Sequence, residues 1–212
     1  MKKLILVTLP LLLVFVLSTS AFAQGIKAGI RGGVNLSKVV NQDLTIKPDY
    51  KKGFSGGLFA SFGIGPLSFQ PEALFTMKGA QLKEELLGVV NNVNINMNYL
   101  EIPILAKISI PLTQGVRINL LAGPSVALKL SAKSVSEIAG KSVDENIKDM
   151  KNTDFGLAFG VGINFGALAI EGRYTPGLTS IGKSQTGIFQ SVGSGTKNSV
   201  ITITAEYLFY GL

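Results

Sequence analysis

Glu72, Glu101 and Glu171 are the side chains in this sequence best suited to proton transfer, as paired carboxylates acting as acid and base. The rest of a catalytic kit is missing. The 212 residues contain no histidine and no cysteine. That removes the commonest general base, the commonest metal ligand, thiolate nucleophiles and disulfides. Two glycine-rich strings carry no cofactor signature. Gly193-Ser194-Gly195-Thr196-Lys197 departs from the G-x-x-x-x-G-K-[ST] phosphate loop and leads into no helix. Gly160-Val161-Gly162 lacks the third glycine of a dinucleotide fingerprint. Both read as loop or interior glycine. The glutamates read better as ion-pair partners than as catalysts, so no enzymatic activity, metal or cofactor is expected.

The elements that must hold these charges alternate with a period of two. From Asp154 to Leu178, Phe155, Leu157, Phe159, Val161, Ile163 and Phe165 share one parity, against Gly156, Ala158, Gly160, Gly162 and Asn164. That is a strand pattern. A short link at Gly166 is followed by Leu168, Ile170 and Tyr174 against Glu171, Arg173 and Thr175, so the pair reads as a hairpin. A soluble sandwich would turn the large residues inward and leave a polar outer face. Here the second face is small, which suits a crowded barrel interior with large apolar residues directed at lipid.

Residues 1–23 read as a secretory leader. Lys2 and Lys3 precede the apolar run Leu4 to Leu17, and Ala21-Phe22-Ala23 supplies an A-x-A site with cleavage after Ala23. Residues 24–212 are then one domain. Losing the two leader lysines takes the net charge from +7 to +5. Export and the absence of a clustered basic run argue against nucleic acid as a partner. The 46% apolar content is spread over short segments, with no later run of helix-spanning length.

Eight alternating segments follow, over Ile26–Ser37, Gly53–Ile64, Leu67–Lys78, Val93–Ile110, Val116–Leu130, the hairpin pair, and Ser199–Tyr210. In the fourth, Val93, Ile95, Met97 and Tyr99 share one parity while Leu100, Ile102, Ile104 and Ile108 share the other. A β-bulge near Tyr99 would bring all of them to one face. Short links at Gly65-Pro66, Pro111 to Gly115 and Gly166 alternate with long ones at Lys38–Lys52, Gly79–Asn92, Ala132–Lys151 and Thr179–Asn198. The third long link could hold a helical turn but reads as loop. The expected fold is an all-β, eight-stranded antiparallel up-and-down transmembrane β-barrel, with periplasmic turns and longer extracellular loops.

Charge placement agrees with this. Lys27, Arg31, Glu72, Lys78, Glu101, Lys107, Arg117, Lys129, Asp154, Glu171, Arg173 and Glu206 all fall on the non-lipid parity. Lys27, Arg31, Arg117 and Arg173 are expected to meet Glu72, Glu101, Glu171 and Glu206 across a filled lumen. Pro71, Pro103, Pro124 and Pro176 are the main difficulty, because a closed barrel has no free edge; bulges or rim positions are the expected solution. Tyr207 and Phe209 end the last strand on the outward face, as a terminal signal for outer-membrane insertion machinery would.

Five strings in order, KAGIRGGVNLS, FQPEALFTMKGAQL, NYLEIPILAKISI, LAGPSVALKLSAK and AIEGRYTPGL, resemble the PorT-like outer-membrane β-barrel family of Gram-negative bacteria. The resemblance runs from Gly25 to Phe209 apart from the long links. It implies an eight-stranded outer-membrane barrel, surrounded by outer-membrane lipid. The shared strings are scaffold, so a role in secretion is not carried over. The reading that follows is a structural or interaction protein working through its long loops on an unidentified extracellular or periplasmic partner. A small pore, transport or secretion-associated barrel is the alternative.

Overall fold

A computed structural model describes residues 26–40, 50–86, 89–138, 141–146, 150–181 and 196–209. The leader and its cleavage point, and most of the Gly193–Lys197 string, lie outside the described residues. The strands are β1 (Ile26–Val40), β2 (Lys51–Ile64), β3 (Leu67–Leu86), β4 (Val89–Thr113), β5 (Val116–Ile138), β6 (Lys141–Asn146), β7 (Thr153–Phe165), β8 (Leu168–Pro176) and β9 (Lys197–Phe209). Each pairs antiparallel with its neighbours, β1 with β9 and β4 with β5, so eight strands close into a ring. The ninth, β6, stands outside the ring and extends only the end of β5, from Lys133↔Asn146 to Ile138↔Lys141. The link read as loop between Ala132 and Lys151 is therefore largely a hairpin. Similarly, most of Gly79–Asn92 is strand, because β3 and β4 run on as a paired ribbon to Leu86↔Val89.

The three short turns form where glycine supplies a positive φ. Gly65, Gly115 and Gly166 have φ of 62°, 78° and 61°. Such turns match the right-handed twist of the strands they join. Tight strand crossing imposes a second glycine requirement. A Cβ added at Gly33 would strike the backbone carbonyl of Ile203 on β9.

Large apolar residues cover the outside of the ring. Val34, Leu58, Phe69, Ile104, Val161 and Ile203 are all more than half exposed. The interior positions between them are polar and buried, among them Arg31, Glu72, Lys107, Glu171, Arg173 and Glu206. This inverts the arrangement of a water-soluble core and is the one a lipid-embedded barrel requires.

On β4, toward the long links, the polarity reverses, and the expected bulge is absent. Ile95, Met97, Tyr99, Glu101, Pro103 and Leu105 all point inward, in one unbroken alternation. The bulge lies instead on β5. Asn98 pairs with Ser131 and Tyr99 with Lys129, which leaves Leu130 as the extra residue. Below it Asn119, Leu121, Ser125 and Ala127 face inward; above it Ala132 and Ser134 do. The apolar stretch of β4 above Leu100 therefore faces the interior, and Asn94, Asn96 and Asn98 face out. The switch fits a strand that leaves lipid for water while its interior stays packed. Val39, Ala80, Ile95, Met97, Tyr99, Met150 and Ile181 form an apolar cluster inside this end.

Pro71, Pro103 and Pro124 are held neither at rims nor by bulges. Pairing of β2 with β3 stops at Phe59↔Glu72 and resumes at Phe62↔Phe69. Between β3 and β4 it stops at Pro71↔Ile104 and resumes at Leu74↔Glu101. Between β4 and β5 it stops at Pro103↔Ser125 and resumes at Ala106↔Ala122. The register is unchanged across each gap. Each proline lacks the N–H that would bond to one neighbour, so the ladder opens locally and closes again. Pro176 sits at the last residue of β8, opposite Ser199.

Candidate functional site

The interior of the ring holds the sequence's chemistry in layers. The central one is an ion cluster carried by five strands. Arg31 of β1 donates to Glu72 Oε1 at 2.7 Å, to Glu171 Oε1 at 2.9 Å and to Thr204 Oγ1 at 2.6 Å. Arg173 of β8 forks onto Glu72, with Nη1 at 2.9 Å from Oε2 and Nη2 at 2.9 Å from Oε1. It also donates to Glu171 through Nε at 3.0 Å and Nη2 at 2.7 Å. Gln70 completes Glu72 with a bond of 2.8 Å. Lys107 of β4 stands 3.8 Å from both Glu171 and Glu206. Arg31 Nη1 lies 3.1 Å from Glu206 Oε1, although that oxygen receives no aligned hydrogen bond. The cluster balances Arg31, Lys107 and Arg173 against Glu72, Glu171 and Glu206.

Balance is what makes this burial tolerable. A lone ion taken out of water costs several kcal/mol, and planar guanidinium forks on carboxylates recover the most. Space comes from the small residues of β7. A Cβ on Gly162 would press on the stem of Glu171 at 3.4 Å, and one on Gly160 would meet Leu121 at 2.9 Å. The glycines that fail as a nucleotide fingerprint are thus the room in which the ion cluster is built.

A second layer lies toward the long links. Lys78 Nζ is 3.2 Å from Glu101, which also accepts from Ser125 at 2.7 Å. Asp154 accepts from Asn198 at 2.7 Å and Thr179 at 3.3 Å. Lys78 also lies 5.3 Å from the Tyr99 ring centroid, a cation–π contact that joins this layer to the apolar cluster. At the opposite end, Ser109 donates to Asn119 at 2.7 Å, and Asn119 donates to Asn164. These asparagines lie on the inward parity but carry no charge, so the sequence pattern does not reveal that they bond to one another. Nor does it reveal the bonds of Gln70 and Thr204 to the ion cluster.

Not every expected partner joins. Lys27 and Arg117, expected to meet the glutamates, are exposed at the short-turn mouth of the ring. Their positions at the beginnings of β1 and β5 leave the stems too close to the rim to reach the central cluster. Lys129 is half-buried and donates to the Met150 backbone carbonyl at 2.9 Å, because the β5 bulge beside it places it near the apolar cluster. Tyr207 and Phe209 face outward and pack edge to face, with centroids 5.7 Å apart.

Residues 22–182 match the family described as outer membrane protein beta-barrel domain. The chain belongs to that family. Its members are outer-membrane barrels, and the outward apolar belt and charged interior are those of such a protein. No curated protein matches the chain in sequence. Among solved structures it is similar to Ail, the attachment invasion locus protein of Yersinia pestis, solved in complex with the heparin analogue sucrose octasulfate. The identity is 14% over 87% of this chain and 99% of that one, with a TM-score of 0.43. It is also similar to Neisserial surface protein A, at 15% identity over 87% and 99%, with a TM-score of 0.45. An outer membrane channel from Pseudomonas putida F1 matches at 10% identity over 87% and 96%, with a TM-score of 0.31.

Glu72, Glu101, Asp154, Glu171 and Glu206 are each engaged by a cation or a hydrogen-bond donor. Among the described residues no group of acidic side chains is arranged to hold a metal ion. What the arrangement can do is fill and brace a narrow lumen.

Proposed function

We propose that this protein is a closed outer-membrane barrel that serves as a structural or interaction protein. Its working surface is the end where the long links emerge, and the short turns face the periplasm. The carrying observation is the filled lumen: the ion cluster of Arg31, Arg173, Lys107, Glu72, Glu171 and Glu206 occupies its middle, and the apolar cluster around Met97 and Tyr99 occupies one end. An interior filled twice over supports a role outside transport, and carboxylates held in ion pairs support a non-enzymatic one. The five ordered strings support a place within the PorT-like group. The leader is removed after Ala23, and Tyr207 with Phe209 is the feature read by the insertion machinery.

Membrane fractionation with boiled and unboiled samples, followed by planar-bilayer recording, tests this reading. The expected result is an outer-membrane protein with heat-dependent mobility and no steady conductance. A Tyr207→Asp/Phe209→Asp chain should be lost from the membrane fraction. Stable single-channel steps from the wild type would overturn the closed-barrel reading and favour a pore.

A further inference from the structure

The lumen is a cup rather than a tube. Its long-link end is packed with apolar side chains, while its short-turn end is open. Two adjoining cavities, of about 230 Å³ and about 100 Å³, lie at that open end. Lys27 and Arg117 line both. Among the described residues neither has an acidic partner, whereas Arg31, Lys78, Lys107 and Arg173 are each paired with a glutamate. The larger cavity has no acidic side chain in its lining. Glu206 borders the smaller one, and it is already faced by Arg31 and Lys107.

The larger cavity has a second character. It runs past Leu208 to Phe209, whose ring is exposed on the outward, lipid-directed face. Its floor is the Gly166-Ala167 turn, tied down by Gly166 N–H donating to Gly115 at 2.9 Å and Leu208 N–H donating to Ala167 at 2.8 Å. Two uncompensated cations thus sit beside an aromatic residue where the apolar belt ends, which on the outer-membrane reading is the level of the lipid headgroups. Basic pockets at this level are suited to anionic headgroups, and an arginine fork suits phosphate oxygens.

We propose that the short-turn mouth binds the phosphate of an anionic phospholipid, gripped by Lys27 and Arg117, with the lipid's glycerol and first methylenes against Leu208 and Phe209. This rests on the outer-membrane reading above. The bound lipid would seat one end of the barrel at a fixed depth in the leaflet.

The test uses the folded barrel in a non-ionic detergent, its fold verified by heat-dependent mobility. Amide resonances of Gly115 and Gly166 are followed during titration with dihexanoylphosphatidylglycerol and, separately, with inorganic phosphate. Saturable shifts with the lipid are expected, with inorganic phosphate far weaker. Removing one charge-assisted contact should weaken binding about tenfold, so Lys27→Gln and Arg117→Gln should each lower affinity by that factor and the double variant by more. Phosphate that binds as tightly as the lipid and displaces it would overturn the lipid assignment in favour of a free-phosphate site. Absence of saturable shifts, or unchanged affinity in the double variant, would overturn the site altogether. Either failure in a barrel that still shows heat-dependent mobility would leave the outer-membrane reading standing.

Discussion

Glu72 receives hydrogen bonds from Arg31, Arg173 and Gln70, which makes it the most heavily engaged carboxylate of the ion cluster. Glu72→Gln keeps the shape and removes the charge. Two guanidinium groups are then left with one carboxylate fewer in a site closed to solvent. Breaking a buried pair in this way costs on the order of 3–5 kcal/mol. An exposed charge such as Lys52 should matter by no more than about 0.5 kcal/mol when neutralised. The midpoint of the heat-dependent mobility shift should therefore fall clearly for Glu72→Gln, Glu171→Gln and Arg173→Met, and hardly move for Lys52→Gln. Equal midpoints would mean that the cluster is not bracing the barrel. The parity of these charges was readable from the sequence because strand side chains alternate strictly. Their pairing was not, since Arg31 and Glu72 are brought together by the stagger of the closed ring. Lys27 and Arg117 show the same limit: their parity is right, but height along the strand decides whether a side chain meets the cluster.

At the scale of the strand, the instructive case is β4. Its apolar residues change parity at Tyr99–Leu100, and a bulge was the natural reading if lipid surrounds the whole strand. The strand keeps one unbroken alternation instead, as a strand that leaves lipid part-way along its length would. Above Leu100 the exterior carries Asn94, Asn96 and Asn98, and the interior carries Ile95, Met97 and Tyr99. A change of apolar parity can thus mark the edge of the membrane. Hydrophobic periodicity alone does not separate this from a bulge, since both shift the pattern by one. Pro176 takes the rim position expected of it, but Pro71, Pro103 and Pro124 were legible only as a conflict, because ladder gaps at constant register leave no trace in side-chain pattern. Ile203 is 56% exposed on the lower, lipid-directed face of β9. Arginine there should cost ~2–4 kcal/mol if it lies near the midplane. Asn96→Arg, on the outward face above the switch, should cost close to nothing. Denaturant titration of both variants in lipid vesicles checks the contrast, and equal losses would place Asn96 in lipid as well.

For the molecule as a whole, two dissimilar barriers lie in series along one lumen. One is polar and holds its shape by charge, around Arg31, Glu72, Glu171 and Arg173. The other is apolar and holds by packing, around Ile95, Met97, Tyr99 and Met150. They fail under different perturbations. Neutralising the first admits water into the middle of the barrel but leaves the far end packed. Trimming the second costs about 2–5 kcal/mol for each large side chain cut to alanine and leaves the charged constriction in place. Neither change alone connects the two mouths. A Glu72→Ala/Arg173→Ala barrel should therefore stay silent in a planar bilayer, as should a Met97→Ala/Tyr99→Ala barrel. Only the combination of all four should give steady ion-conducting steps, provided that the folded fraction is first isolated by its heat-dependent mobility. Conductance from the charge-depleted barrel alone would mean that the apolar cluster is no seal, and that the central ion cluster is the only barrier to flow.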